Sequence, residues 1–465
     1  MLTARAVSMN IKNEPNERFI RMTTESISRL IPSLAVPTII SMLVTSLYNM
    51  ADTYFVGKIN TSATGAVGIV FSLMTLIQVV GMTLGVGSGS YVARLLGQKN
   101  TDRASATVST AFFTALGCGL CITVLGELFL TPFMRCLGST DTILPYAEAY
   151  AAYILLGAPF MAASFVMNVN LRSEGSAVLA MIGIASGAVL NIILDPIFIF
   201  VFDMGIAGAA LATILSQLVG FSILLSHYAK QRSALRIRMR NTDFSGTMYK
   251  EILRSGTPTL FRQLVASVSS IALNTAAGGY GDAAVAGMSV VTRLMVFMGS
   301  VIIGFGQGFQ PVAAFNYTAG RRDRVHQAFW FAVKTGTIVL LIFSTTAISF
   351  APQIIRLFRD DAEVIRIGAF SLRMQCISLP LIAFIIMSNM MFQYIGKPAK
   401  AALLALSRQG LVFLPALIIL SGLFGLTGVQ TSQATADVIT FLIAIPLTAG
   451  TLRSLKADGD MGRTS

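Results

Sequence analysis

Charge is what this sequence has least of. Only 12% of its 465 residues are Asp, Glu, Lys or Arg, while 54% are hydrophobic and the mean hydropathy is +0.72. Soluble domains carry roughly twice that charged fraction. A water-soluble chain this apolar would have too little polar surface to cover itself, whereas side chains facing lipid need none. Histidine is nearly missing too. His227 and His326 are the only two, both at or near loops, and neither HExxH nor GxSxG occurs. That removes the usual metallohydrolase and serine-hydrolase chemistries, so the chain is not read as an enzyme. Four cysteines, Cys118, Cys121, Cys136 and Cys376, make neither a disulfide nor a zinc framework. The Cys118/Cys121 pair lies inside an apolar run and reads as packing. The N-terminal nineteen residues hold no apolar stretch, so no cleavable signal peptide is expected, and Met9 is a second candidate start.

What is abundant is long apolar runs. Segments able to cross about 30 Å of hydrocarbon fall near 31–57, 65–88, 107–130, 146–168, 178–201 and 206–226. They resume near 257–278, 284–309, 327–350, 367–392, 401–421 and 427–450. Twelve spans predict an all-α integral membrane protein. The net charge of +13 does not read as nucleic-acid binding, because the basic residues sit in short loops between spans. Alternate loops hold clusters such as Arg94, Lys99 and Arg103, or Arg321, Arg322 and Arg324. The opposite loops hold only Lys58, Arg135, Arg356, Arg359 and Arg366. This bias predicts a multi-pass chain with both termini on the cytoplasmic side.

The two halves are copies. A shift of 221 positions sets Pro37 on Pro258, Gly57 on Gly278, Gly85 and Gly87 on Gly306 and Gly308, Pro159 on Pro380, Asn168 on Asn389 and Gly175 on Gly396. Apolar composition alone would not hold one offset across prolines and loop charges. The expected organisation is a cytoplasmic tail 1–29, an N-lobe 30–228, a cytoplasmic linker 229–253, a C-lobe 254–453 and a tail 454–465. Six spans per half make the repeats parallel, pseudo-symmetric about the membrane normal, an arrangement suited to alternating access. A two-fold pseudosymmetric channel is the competing reading.

Polar residues are costly in such spans and so informative, at about 3 kcal/mol for a central charge. Glu127 and Glu148 lie near span ends, where interfacial water accounts for them. Asp52 in the first span and Asp195 in the fifth lie deeper, at a depth shared with Thr213 of the sixth. Asn191 is one turn from Asp195 on the same face. Two carboxylates, an amide and a hydroxyl at one level suit a cation site, with Asn191, Asp195 and Thr213 as oxygen ligands if the ion is Na⁺. The alternative is a structural network tying three spans together. The second half lacks this set and carries Arg262, Arg293, Lys334, Arg373 and Arg408 instead. Lys334 and Arg408 are expected to snorkel toward the cytoplasmic side. Arg262 and Arg373, with Gln375 and Asp437 as companions, read either as a structural ion-pair network or as an anion-binding surface.

Several stretches together resemble the multidrug and toxic compound extrusion (MATE) family. They are Pro37 with Asp52-Thr53 and Gly57, ARLLGQKN at 93–100, LNIILDPIFIF at 190–200, GIAGAALATILSQ at 205–217 and GFGQGFQPVAAFNYTAGRRDRV at 304–325. The resemblance, to bacterial members with an Asp-rich N-lobe, runs from about residue 30 to 452. It implies two six-helix lobes in a V, acting as a monomer in the lipid bilayer. It implies export of small organic, often cationic compounds driven by H⁺ or Na⁺, with no other cofactor. It maps the coupling site onto Asp52, Asn191, Asp195 and Thr213, and a bending point onto Pro37. Arg262 and Arg373 stand where some branches have acids, which speaks against a second cation site. An exporter of an endogenous anionic metabolite or lipid-linked precursor is the alternative. The facilitator superfamily is set aside because YVARLLGQKNTDRA lacks its Gly-x-x-x-Asp-Arg pattern.

Overall fold

The computed structural model describes residues 15–461. Residues 1–14 and 462–465, parts of the two expected tails, lie outside the described residues. Twelve long helices follow one another: α1 Ile27–Gly57, α2 Thr61–Gly97, α3 Thr101–Leu128, α4 Leu144–Ser173, α5 Ala177–Val201, α6 Gly205–Ala229, α7 Gly246–Gly278, α8 Asp282–Thr318, α9 Arg322–Ser349, α10 Ala362–Tyr394, α11 Pro398–Phe424 and α12 Leu426–Met461. Eleven are long and apolar enough to cross a membrane. The exception is α7, whose first half carries Lys250, Glu251, Arg254 and Arg262. It begins at Gly246, inside the segment expected to be linker, because that charged stretch still has helical propensity. The fold is all-α and multi-spanning, in two six-helix lobes.

The first compact unit holds Ile40–Gly256 with the chain up to Met22. Its centre is α4, which packs on α2, α3 and α6. Small residues allow the approach. A Cβ at Gly81 would lie 2.9 Å from the Ala162 carbonyl oxygen, and one at Gly85 3.1 Å from that of Phe165. Without a hydrophobic force between helices in lipid, such close packing is what holds them. The start of α7 belongs to this unit, where Gly87 meets the Ile252 backbone. The segment between α6 and α7 is bonded along α3. Ser105 and Ser109 accept from the backbone N–H of Arg236 and Arg238, both at 3.2 Å. Buried Glu174 accepts from Arg18 at 2.8 Å, Ser233 at 2.8 Å and the Ala234 N–H at 3.0 Å.

The second unit holds Thr23–Ile39 and the chain from Thr257 onward. Here α10 is central, packing on α8, α9 and α12. The start of α1 is seated in this unit against α8, where Gly304 and Gly308 face Ile39 and Ala35. Each of α1 and α7 therefore passes from one unit to the other within a few residues of its proline, Pro37 or Pro258.

The duplication extends to detail. Asn168 Nδ2 donates to the Ala180 carbonyl at 3.0 Å, and Asn389 Nδ2 to that of Ala401 at 2.6 Å, both pairs related by the 221-residue shift. Gly175 and Gly396 close equivalent turns at φ of 91° and 83°, values only glycine adopts freely. Gly205 and Gly425, at 55° and 59°, are the next such pair. One residue has dropped out of the shift between them and the preceding pair.

Candidate functional site

In α5, a GxxxG pair, Gly183 and Gly187, faces Gly220 of α6. A Cβ at Gly187 would lie 2.9 Å from the Ser216 carbonyl oxygen, and one at Gly220 3.0 Å from that of Gly183. This backbone-to-backbone approach brings together the side chains one turn further on. Asn191 Nδ2 donates to Asp195 Oδ1 at 3.2 Å and to Thr213 Oγ1 at 3.3 Å. All three residues are buried, Asp195 completely. Asp52, at 8% exposure, is buried beside them on α1. It is not hydrogen-bonded to Asp195 but lies within its electrostatic reach.

Three oxygens of this cluster, Asp52 Oδ1, Asn191 Oδ1 and Asp195 Oδ2, are buried without a hydrogen-bond partner. Each is an acceptor. Neither carboxylate has a Lys, Arg or His partner among the described residues. Buried acceptors normally find a donor, and buried charges a counter-charge. The donor set therefore fits a proton or an oxygen-seeking cation such as Na⁺. Among the described residues no group of three or more His, Cys, Asp or Glu could hold a metal ion.

The cluster borders a cavity of about 180 Å³ within the first unit. Asn191 and Thr213 line it together with Tyr48, Gln78 and Gln217, and Phe71, Phe165 and Phe221 supply aromatic walls. Tyr48 and the fully buried Tyr150 both lie in the field of the two carboxylates. Sequence reasoning did not single out Tyr48, Tyr150 or Gln217. Spacing held a signal for two of them, since Tyr48 is one turn from Asp52 and Gln217 one turn from Thr213. Tyr150 comes from α4, and only packing reveals it.

Among the described residues the second half has no such cluster. Leu273, the counterpart of Asp52, packs on a core of Ala277, Met288, Phe413, Leu417, Val429 and Ala436. Its polar residues sit differently from expectation. Asp437 Oδ1 accepts from Arg408 Nε at 2.8 Å and Gln433 Nε2 at 3.2 Å, and Oδ2 from Ser378 Oγ at 3.4 Å. Arg408 thus pairs inward instead of snorkelling. It lies in a π-helical turn, Ser407–Leu411, and such a turn re-aims side chains relative to a regular helix. Arg373 is exposed and donates to the Ile348 carbonyl at 3.3 Å, so it does not join Asp437. Gln375 is buried on α10, its carbonyl accepting from Ser378 at 3.0 Å. Arg262 is half-buried on α7. Arg408→Ala should cost about 3 kcal/mol or more, since it strands a buried carboxylate. Thermal melting of the purified protein in detergent measures this, and an unchanged midpoint would mean the pair contributes nothing.

Two six-helix lobes, one enclosing acids without counter-ions beside a cavity, define a membrane transporter of the secondary active class. The chain belongs to the MatE family, whose model matches residues 37–197 and 258–419. It is 28% identical over 432 residues to the multidrug export protein MepA of Staphylococcus saprophyticus, covering 92% of this chain and 95% of that protein. Among solved structures it is similar to MATE in the bent conformation, with a TM-score of 0.87, 27% identity and coverage of 97% and 98% of the two chains. It is also similar to an outward-facing multidrug resistance MATE family transporter, with a TM-score of 0.86, 27% identity and the same coverage.

Proposed function

We propose that the chain exports amphipathic organic compounds, cationic ones included, in exchange for H⁺ or Na⁺, with Asp52, Asn191, Asp195 and Thr213 as the coupling site. The supporting observation is the pair of buried acids without a basic partner. A fixed cation would neutralise them permanently, whereas a mobile one can leave when substrate enters. Bound cation and bound substrate then exclude one another, and the gradient of the first drives the second outward. H⁺ and Na⁺ both suit the oxygens present. Transport into proteoliposomes with the two gradients imposed separately, across a panel of organic cations, tests the proposal. Export insensitive to both gradients would defeat it.

Pro37 is the proposed bending point. Its ring removes a backbone donor and opens the helical ladder, and α1 changes compact unit between Ile39 and Ile40. Pro37→Ala should lower turnover several-fold while membrane abundance stays near normal. Wild-type turnover at equal abundance would leave Pro37 as a static kink.

Both termini and the α6–α7 connection are proposed to be cytoplasmic, from the loop charges. Reporter fusions at Ser465 and Asp243 should be active only as cytoplasmic reporters. An externally accessible fusion at either point would invert the topology.

A further inference from the structure

Arg262 is a cation left over within the second unit. It has no hydrogen-bond or ion-pair partner among the described residues. Helix α7 meets the π turn of α11 where Ser269 Oγ donates to the Gln409 carbonyl and Val265 faces Gly410. Arg262 is one turn before Val265 and on the same face, within electrostatic reach of Arg408. Arg408 is already neutralised by Asp437 at 2.8 Å. Two guanidinium groups and one carboxylate leave one positive charge uncompensated.

Depth makes that charge significant. Arg408 lies ten residues into α11 and Asp437 eleven into α12. Consecutive spans run in opposite directions, so both stand about 15 Å from opposite faces, near the middle of the hydrocarbon. Arg262, five residues into the expected span 257–278, stands roughly 8 Å inside the hydrocarbon on the cytoplasmic side of that pair, where a guanidinium without a counter-charge is still costly. One turn beyond Asp437 on the same face, the Thr440 hydroxyl is buried and also without a partner.

We infer that Arg262, flanked by the Arg408–Asp437 pair, binds the carboxylate of organic substrates, so that amphoteric and anionic amphiphiles are accepted as well as cations. The guanidinium fork matches a carboxylate in two parallel hydrogen bonds. The acids that would repel a carboxylate, Asp52 and Asp195, belong to the other unit. The inference rests on the reading of the chain as an exporter of organic compounds.

Rhodamine B, which has a free carboxylate, and its ethyl ester, a cation of nearly the same size, form a matched pair of probes. Fluorescence polarisation with purified protein in detergent should show both dyes binding. Arg262→Gln should weaken rhodamine B about tenfold, the scale of a charge-assisted hydrogen-bonded contact, and the ester less than twofold. Arg262→Lys should recover part of the loss. Equal weakening of both dyes, no change in either, or a wild-type protein that fails to bind rhodamine B would each overturn the site. Vesicle flux separates the two readings. If both dyes bind selectively as described but neither is moved, the exporter reading fails and the carboxylate site stands.

Discussion

Asp195→Asn is expected to abolish gradient-driven export, a loss on the order of a hundredfold, the upper range of coupling between sites. The substitution preserves shape and can still meet Asn191, so the α5–α6 contact should survive. What it removes is the charge that a cation must balance. Asp195 is completely buried, bonded through one oxygen to Asn191 at 3.2 Å, with its second oxygen unpartnered. A cation gradient does work only through a group whose occupancy differs between access states, and an amide neither takes up a proton nor offers a charge to Na⁺. Accumulation of a fluorescent organic cation in vesicles, normalised to folded protein by size-exclusion chromatography, measures the loss. An Asn variant that still concentrates the dye against its gradient would remove Asp195 from the coupling site.

Gly187→Val should do nearly as much damage from a position that touches no ion. Its Cβ would lie 2.9 Å from the Ser216 carbonyl oxygen, where backbone leaves no flexible end to yield, so α5 must move away from α6. The Asn191–Thr213 bond is already 3.3 Å long, and a shift of a few tenths of an ångström breaks it. Export should fall by about tenfold or more, and Gly187→Ala, which adds the Cβ alone, should fall between wild type and Val. Dye export with a melting curve for each variant checks the series. Full activity in Gly187→Val would show that the close approach of α5 and α6 does not set the site.

Depth and face were legible in the sequence; the direction of long side chains was not. Counting residues from span ends put Asp52, Asp195 and Thr213 at one level, and the helical period put Asn191 beside Asp195. Neither count carries information on Tyr150, which reaches the acids from α4 across a packed interface. Neither finds the glycines that set the α5–α6 distance, although Gly183 and Gly187 are visible as a GxxxG once helix packing is considered. The basic residues show the limit most clearly. Arg408, Arg262 and Arg373 are alike in sequence, yet one pairs with Asp437, one has no partner among the described residues, and one is exposed. A π turn at Ser407–Leu411 re-aims Arg408, and nothing in the local composition announces it. The repeat was legible to Gly175 and Gly396, and the lost residue before Gly425 surfaced only through the matching turn geometry of Gly205.

Competition between substrate and cation for the acids of the N-terminal unit underlies the proposed antiport. Its most direct test is cation release on substrate binding, with purified protein in weakly buffered detergent. Addition of an organic cation that the protein exports should release about one H⁺, read by a pH dye, or about one bound Na⁺, read with a radioactive tracer, per substrate bound. In Asp195→Asn the release should vanish while substrate still binds. Substrate binding that releases no cation from the wild-type protein, or release that persists unchanged in Asp195→Asn, would contradict the account.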